Sequence, residues 1–262
     1  ATFYKADIRD LPTMQKIFKK ERPEVVNHHA AIAEVVKSVT NPIPTYEVNV
    51  LGTANILLCF GQFGKGKNKK VLFSSTGGAI YGEPKKIPAP ETTPAAALSP
   101  YGLSKLLGEE LIFFFSRSYG FNYLIFRYPN VYGPRQNPKG EAGVVAIFGG
   151  LLKQNIQPTI FGDGSKARDY TYVDDIVVAN LKALKKGNKT ITNIGWGKLI
   201  TDKMIFETVA STLGYKKPVR YAPYRSGEVY RICLDAKKAK KILGWKPTVP
   251  LKEGIRKTLE TI

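Results

Sequence analysis

Tyr101 and Lys105 stand four residues apart in SPYGLSK, residues 99–105, a stretch with no other charged side chain. On a helix, positions four apart are neighbours on one face, so the ammonium can sit beside the phenol. A nearby cation favours the phenolate and is expected to draw the tyrosine down from its ordinary pKa of about 10, which makes a general base. Taken alone, Tyr-x-x-x-Lys recurs by chance on many helices. Here an apolar run ends in FSSTGGAIYG, residues 73–82, which places the hydroxyls of Ser74, Ser75 and Thr76 where one of them can bond the same substrate oxygen. A hydroxyl, a phenol and an ammonium converging on one point form a site for taking a proton off a carbinol. The hydride on that carbon then needs a redox cofactor, because no side chain accepts hydride.

These groups need elements to position them. TFYKADI (2–8) reads as a strand, and LPTMQKIFKKER (11–22) has Leu11, Met14, Ile17 and Phe18 at helical spacing. EVVNHHAA (24–31) is a strand with a polar end, and 42–64 reads as one long helix. KKVLFSST (69–76) is a buried strand, Tyr101 to Tyr119 a helix, and NYLIFRY (122–128) another strand. Repeated strand–helix–strand units imply parallel pairing, so the expected class is α/β with a doubly wound parallel sheet. From Pro129 the alternation loosens, with turn signals in GPRQNPKG and FGDGSKARD. A smaller mixed α/β segment is expected to cover the carboxyl edge of the sheet, where ligands of such sheets bind. Asp174 and Asp175 read as helix caps, and His28 and His29 as residues orienting a strand-to-loop turn.

Composition bounds the partners. The chain has 262 residues, 43% hydrophobic, which is enough for a sizeable core and excludes a disordered polymer. No apolar run reaches the roughly 18 residues of a membrane span, so no membrane partner is expected. Cys59 and Cys233 lie far apart without metal-ligand spacing; they read as buried thiols in a reducing cytoplasm, and no metal is expected. The net charge of +19 is enough to attract nucleic acid, an acidic membrane surface or a phosphorylated small molecule. Its lysines fall in short clusters such as KGKNKK (65–70) and KKAKK (237–241), which read as solvated faces and loop tips, so no specific nucleic-acid partner is expected.

ADIRD (6–10), HHAA (28–31), NVLGT (49–53), SSTGGAIYG (74–82), SPYGLSK (99–105), RYPNVYGPRQ (127–136), GDGSKARDYTYVDD (162–175) and LGWKP (243–247) follow one another along the chain. With them the sequence resembles the extended short-chain dehydrogenase/reductases, specifically the NAD-dependent nucleotide-sugar epimerase/dehydratase family, and most of all the members that epimerise UDP-hexoses at C4. The resemblance implies a Rossmann-like fold with NAD as cofactor and a UDP-sugar as substrate. It implies Thr76, Tyr101 and Lys105 as the catalytic set, with Tyr101 as base on the C4 hydroxyl and Lys105 also holding the nicotinamide ribose. Asp7 and Ile8 would flank the adenine, Ala30 and Ala31 the diphosphate, and Asn49 and Pro129 the rest of the cofactor. Asn130, Arg168, Arg225 and Glu228, together with Thr76, would grip the UDP-sugar, the arginines at its diphosphate and Glu228 at a ribose hydroxyl.

The implied reaction interconverts UDP-glucose and UDP-galactose with no net redox change. The resemblance assigns 1–128 and 160–200 to a dinucleotide-binding domain, and 129–159 and 201–262 to a substrate-binding one. It also implies a homodimer through NVLGTANILLCFGQF (49–63) and the Tyr101 helix with its LIFFF (111–115), and places Ile232 and Cys233 near the sugar. The family's first strand–helix–strand unit, with the Gly-rich turn for the cofactor diphosphate, should precede TFYKADI and is missing from these 262 residues, which implies a portion of a longer chain. Alternatives within the family are another nucleotide-sugar epimerase, a decarboxylase or a dehydratase. A 4,6-dehydratase needs acid and base side chains beside Thr76, where this sequence has Gly77 and Gly78. A catalytically silent relative that binds RNA or another anion is the alternative outside enzymology.

Overall fold

The computed structural model describes residues 1–140 and 143–262. The first part of the chain runs α1 (Leu11–Glu21), β1 (Val25–His28), α2 (Val35–Thr40), α3 (Ile43–Tyr46), a π-helical turn over Glu47–Gly52, α4 (Thr53–Phe63), β2 (Lys70–Thr76), α5 (Gly77–Ile80), α6 (Pro100–Tyr119) and β3 (Asn122–Tyr128). There follow β4 (Asn130–Tyr132), α7 (Val144–Lys153), β5 (Thr159–Phe161), β6 (Ala167–Arg168), β7 (Tyr170–Tyr172), α8 (Val173–Ala183) and β8 (Thr190–Asn193). The last part holds β9 (Ile200–Thr201), α9 (Asp202–Leu213), β10 (Arg220–Ala222), β11 (Arg231–Ile232), α10 (Lys237–Leu243) and α11 (Leu251–Leu259).

The strands β1-β2-β3-β8 form one parallel sheet. Its central members, β2 and β3, are buried along most of their length because both faces are covered. On one face Phe73 and Ile125 pack against Phe18 of α1, Leu57 and Phe60 of α4 and Ile112 of α6. On the other, Leu72, Leu124 and Phe126 meet Ile176 of α8, Leu243 of α10 and Trp245. The sheet is thus doubly wound, as its alternation predicts. The register pairs Thr76 with Tyr128, so β2 and β3 end level with each other.

A separate core of Tyr132, Phe148, Ile160, Phe206 and Ile255 joins α7, α9 and α11 to β5. Around it lie small sheets: β4 with β7, β5 with β10, and β6 between β9 (antiparallel) and β11 (parallel). This is the mixed segment expected over the sheet edge.

Three local expectations need correction. TFYKADI is not a strand: residues 1–7 carry no regular structure and Phe3 is 87% exposed, because none of the described residues provides the ladder that defines a strand. The helix expected over 42–64 is interrupted by the π turn, where the Thr53 hydroxyl donates to the Asn49 carbonyl at 2.6 Å. Asp174 and Asp175 lie inside the first turn of α8, whose cap position is Tyr172. Asp175 instead accepts from Thr248 N, Thr248 Oγ1 and Val249 N, which moors the C-terminal segment.

Candidate active site

The carboxyl ends of β2 and β3, the first turns of α6 and the segment after β10 enclose a cavity of about 490 Å³. Thr76, Tyr101 and Lys105 all line it. The start of α6 is fixed by its own sequence: Ser99 caps Gly102 N at 3.2 Å, and Pro100 occupies the first turn. From outside the helix, Ser38 Oγ accepts from Tyr101 N at 3.1 Å. Asn49 Nδ2 donates to Ser104 Oγ at 2.9 Å, and that hydroxyl donates to Tyr101 O at 2.7 Å. The turn that presents the phenol is therefore pinned from three sides.

The charges differ from the sequence expectation. Lys105 is buried, and its Nζ donates to the Ser74 carbonyl at 2.8 Å and lies 5.1 Å from the Phe73 ring centroid. Burial lowers its pKa to about 8. Burial also raises the Tyr101 phenol, against a hydrogen bond to Thr76 that lowers it. The lysine does not bring the resting phenol towards neutrality, because its ammonium is committed to Ser74 and desolvation is the larger effect.

The substrate-side expectations meet in the same cavity: Asn130, Arg168, Arg225 and Glu228 all line it. Arg168 Nη1 donates to Tyr230 O at 2.8 Å. Arg225 pairs with Glu228 at 2.6 Å and lies 4.3 Å over the Phe161 ring. Glu228 also accepts from Lys166 at 2.7 Å, so the carboxylate expected to serve a ribose hydroxyl is already engaged on both oxygens.

On the cofactor side, Ala31 and Pro129 line the cavity, whereas Asp7, Ile8, Ala30 and Asn49 do not. Asp7 is exposed and bound to Arg9 at 2.7 Å. Ile8 packs so close to Gly52 that a Cβ there would lie 2.5 Å from its Cδ1. Asn49 is buried and bridges Ile32 to Ser104, a positioning tie and not a wall of the cavity. Ile232 and Cys233 are buried away from the cavity.

Among the lining residues that the sequence did not assign to the site are His29, Lys166 and Asp202. His29 Nδ1 is 2.8 Å from Ser74 Oγ, and burial depresses its pKa. Lys166 lies two residues before Arg168 at a strand entrance, a spacing that puts both side chains on one face and could have revealed it.

The donor set at the catalytic edge fits the nicotinamide ribose of NAD. Lys105 offers three N–H donors and, among the described residues, one acceptor takes one of them. A vicinal diol is the complementary group, and Tyr101 lines the same cavity.

The family model described as GDP-mannose 4,6 dehydratase matches residues 1–258. A UDP-glucose 4-epimerase of Mycolicibacterium smegmatis is 38% identical over 259 residues, which are 98% of this chain and 82% of that protein. The crystal structure of UDP-glucose 4-epimerase with UDP-glucose from Thermotoga maritima matches with a TM-score of 0.96 at 46% identity, covering 100% of this chain and 84% of that one. The Thermus thermophilus UDP-glucose 4-epimerase complex with NAD matches with a TM-score of 0.92 at 39% identity, with the same two coverages.

Proposed function

The chain belongs to the NAD-dependent epimerase/dehydratase family, and from that premise we propose that it interconverts UDP-glucose and UDP-galactose by reversible oxidation of the hexose at C4. The observation that carries this reading is the convergence of Thr76, Tyr101 and Lys105 on one cavity that Arg168 and Arg225 also line. The likeness to UDP-glucose 4-epimerases over nearly the whole chain supports it.

Lys105, with Ala31 and Pro129 beside it, would hold the nicotinamide-ribose end of NAD. When bound, NAD supplies the hydride acceptor and donor for C4 and, in its oxidised form, a second positive charge near Lys105. Tyr101 works as the phenolate: it takes the O4 proton during oxidation and returns it during reduction. Thr76 donates a hydrogen bond to O4 and so fixes the reacting oxygen against the phenol. Arg168 and Arg225 grip the diphosphate, which keeps the nucleotide tethered while the oxidised hexose presents its other face. Dehydration is disfavoured, because Gly77 and Gly78 supply no acid or base beside Thr76, and a Cβ on Gly77 would lie 2.4 Å from Leu234 Cδ1.

The same reading includes a homodimer. Leu103, Leu107 and Phe114 form an exposed apolar stripe along α6, 38–58% accessible, and a second α6 with its α4 is the natural cover. Both cysteines are free and buried, in keeping with a cytoplasmic enzyme.

Incubation with UDP-galactose and NAD, followed by NMR of the anomeric protons, tests the assignment. UDP-glucose should accumulate to an equilibrium mixture. Turnover confined to UDP-glucuronate or an N-acetylated sugar would transfer the protein to another branch of the family.

A further inference from the structure

In the same cavity, Lys166 is a buried cation between two carboxylates. Its Nζ is 2.7 Å from Glu228 and 3.3 Å from Asp202, and its side chain is 8% exposed. The three residues come from separate segments: Lys166 enters β6, Asp202 begins α9 and Glu228 precedes β11. All three line the cavity, together with Arg168 and Arg225. Arg225 is held by Glu228 on one side and by the Phe161 ring on the other, and its Nε is buried without a partner. Arg168 spends its bonds on backbone carbonyls, so its charge is not cancelled by a carboxylate contact. Among the described residues, the one ion pair of Asp202 is with Lys166.

We propose that Lys166 is a positioning residue for nucleotide-sugar binding: it neutralises Asp202 and Glu228, and through Glu228 it holds Arg225 where a nucleoside diphosphate can be gripped. The inference rests on the reading above, in which Arg168 and Arg225 receive the diphosphate. With Lys166 present, three cations face two carboxylates and the cluster carries one net positive charge. Without it the charges cancel, Asp202 loses its counter-ion, and two buried carboxylates confront an incoming dianion.

The same cluster gives the role a signature that mere packing lacks. Lys166 draws down the pKa of both carboxylates, against the burial that raises them. Removing it lets both titrate nearer neutrality. The other charged or titratable groups acting on them are Arg168, Arg225, Tyr170 and, through Arg168, Glu83.

The test is calorimetric titration of UDP-glucose into the NAD-loaded chain, in a Tyr101→Phe background that stops turnover. Lys166→Met should weaken binding about tenfold or more near pH 8, with a smaller deficit at about pH 6, because burial raises the Asp202 carboxyl once Lys166 no longer opposes it. Lys166→Arg should bind like the parent. Lys166→Met with Asp202→Asn, which restores the net charge, should recover most of the affinity at both pH values. Circular dichroism checks folding, and if Lys166→Met is unfolded the double variant decides. A folded Lys166→Met within about twofold of the parent, or a deficit that neither pH nor Asp202→Asn relieves, overturns the proposal. A parent that does not bind UDP-glucose at all refutes the functional reading, and the inference falls with it.

Discussion

Replacing Glu109 by Gln should destabilise the protein by about 3–5 kcal/mol. Glu109 lies one helical turn beyond Lys105 on α6, and its side chain is 1% exposed against 7% for Arg127. Arg127 Nε donates to its Oε1 at 3.0 Å and Nη2 to its Oε2 at 2.6 Å, while Ser75 Oγ donates to Oε1 as well. Arg127 also donates to Tyr81 OH at 3.0 Å, which in turn donates to Asn193 Oδ1 at 2.8 Å. The amide keeps one acceptor oxygen but turns an NH2 towards Nη2 and leaves a buried guanidinium without its counter-charge. Arg127 cannot escape by shedding its proton, because a guanidinium stays protonated at any working pH even when it is buried. The full cost of an uncompensated buried charge therefore falls on folding, whereas removing both partners by Glu109→Leu with Arg127→Met should recover much of it. Urea titration with unchanged m-values gives the difference directly. A loss below about 1 kcal/mol for Glu109→Gln would refute the reasoning, since that is the scale of an exposed pair.

Three further outcomes are expected. Thr76→Val should lower kcat about tenfold to a hundredfold with little change in KM, because its hydroxyl serves the reacting oxygen and not the nucleotide; steady-state kinetics on UDP-galactose reads this. His28 is buried against Thr53 and its pKa falls from 6.5 to about 3, so between those values the unfolded chain holds a proton that the folded one lacks. Stability should therefore decline as pH drops through that window, by at most about 4–5 kcal/mol, and His28→Gln should flatten the decline in pH-dependent urea melts. Asp169, pushed up to about 6, acts in the opposite direction above 3.8, which is why the comparison is made with the parent. Phe114→Asp should shift the protein from dimer to monomer in sedimentation, and an unchanged dimer would place the interface elsewhere.

The doubly wound sheet was legible because its pattern is local: VLF in KVLFSST and YLIF in NYLIFRY are short apolar runs of strand length, and the intervening helix carries its own cap and initial proline in Ser99 and Pro100. TFYKADI misled for the complementary reason, since strand composition without a ladder partner makes no strand. Within the site, Tyr101, Lys105 and Thr76 could be placed because they lie on the ends of regular elements. The direction of the Tyr101 shift could not be foreseen, as it depends on burial and on the Lys105 bond to Ser74, a residue 31 positions away in sequence. The place of Lys166 beside Arg168 could be read from their spacing, but its pairing with Asp202 could not, since an ion pair between a strand entrance and a distant helix start leaves no local pattern. Asp7 and Ile8 rest on the family resemblance alone, and in the structure neither lines the cavity.

The most direct test of the account is the rate of UDP-galactose epimerisation by Tyr101→Phe, measured beside the parent with bound NAD quantified in both. Loss of the base should lower kcat by about two to four orders of magnitude while NAD content and UDP-glucose affinity stay unchanged. A variant that keeps more than about a third of the parent's kcat would contradict Tyr101 as the proton acceptor and, with it, the chemistry assigned to this cavity.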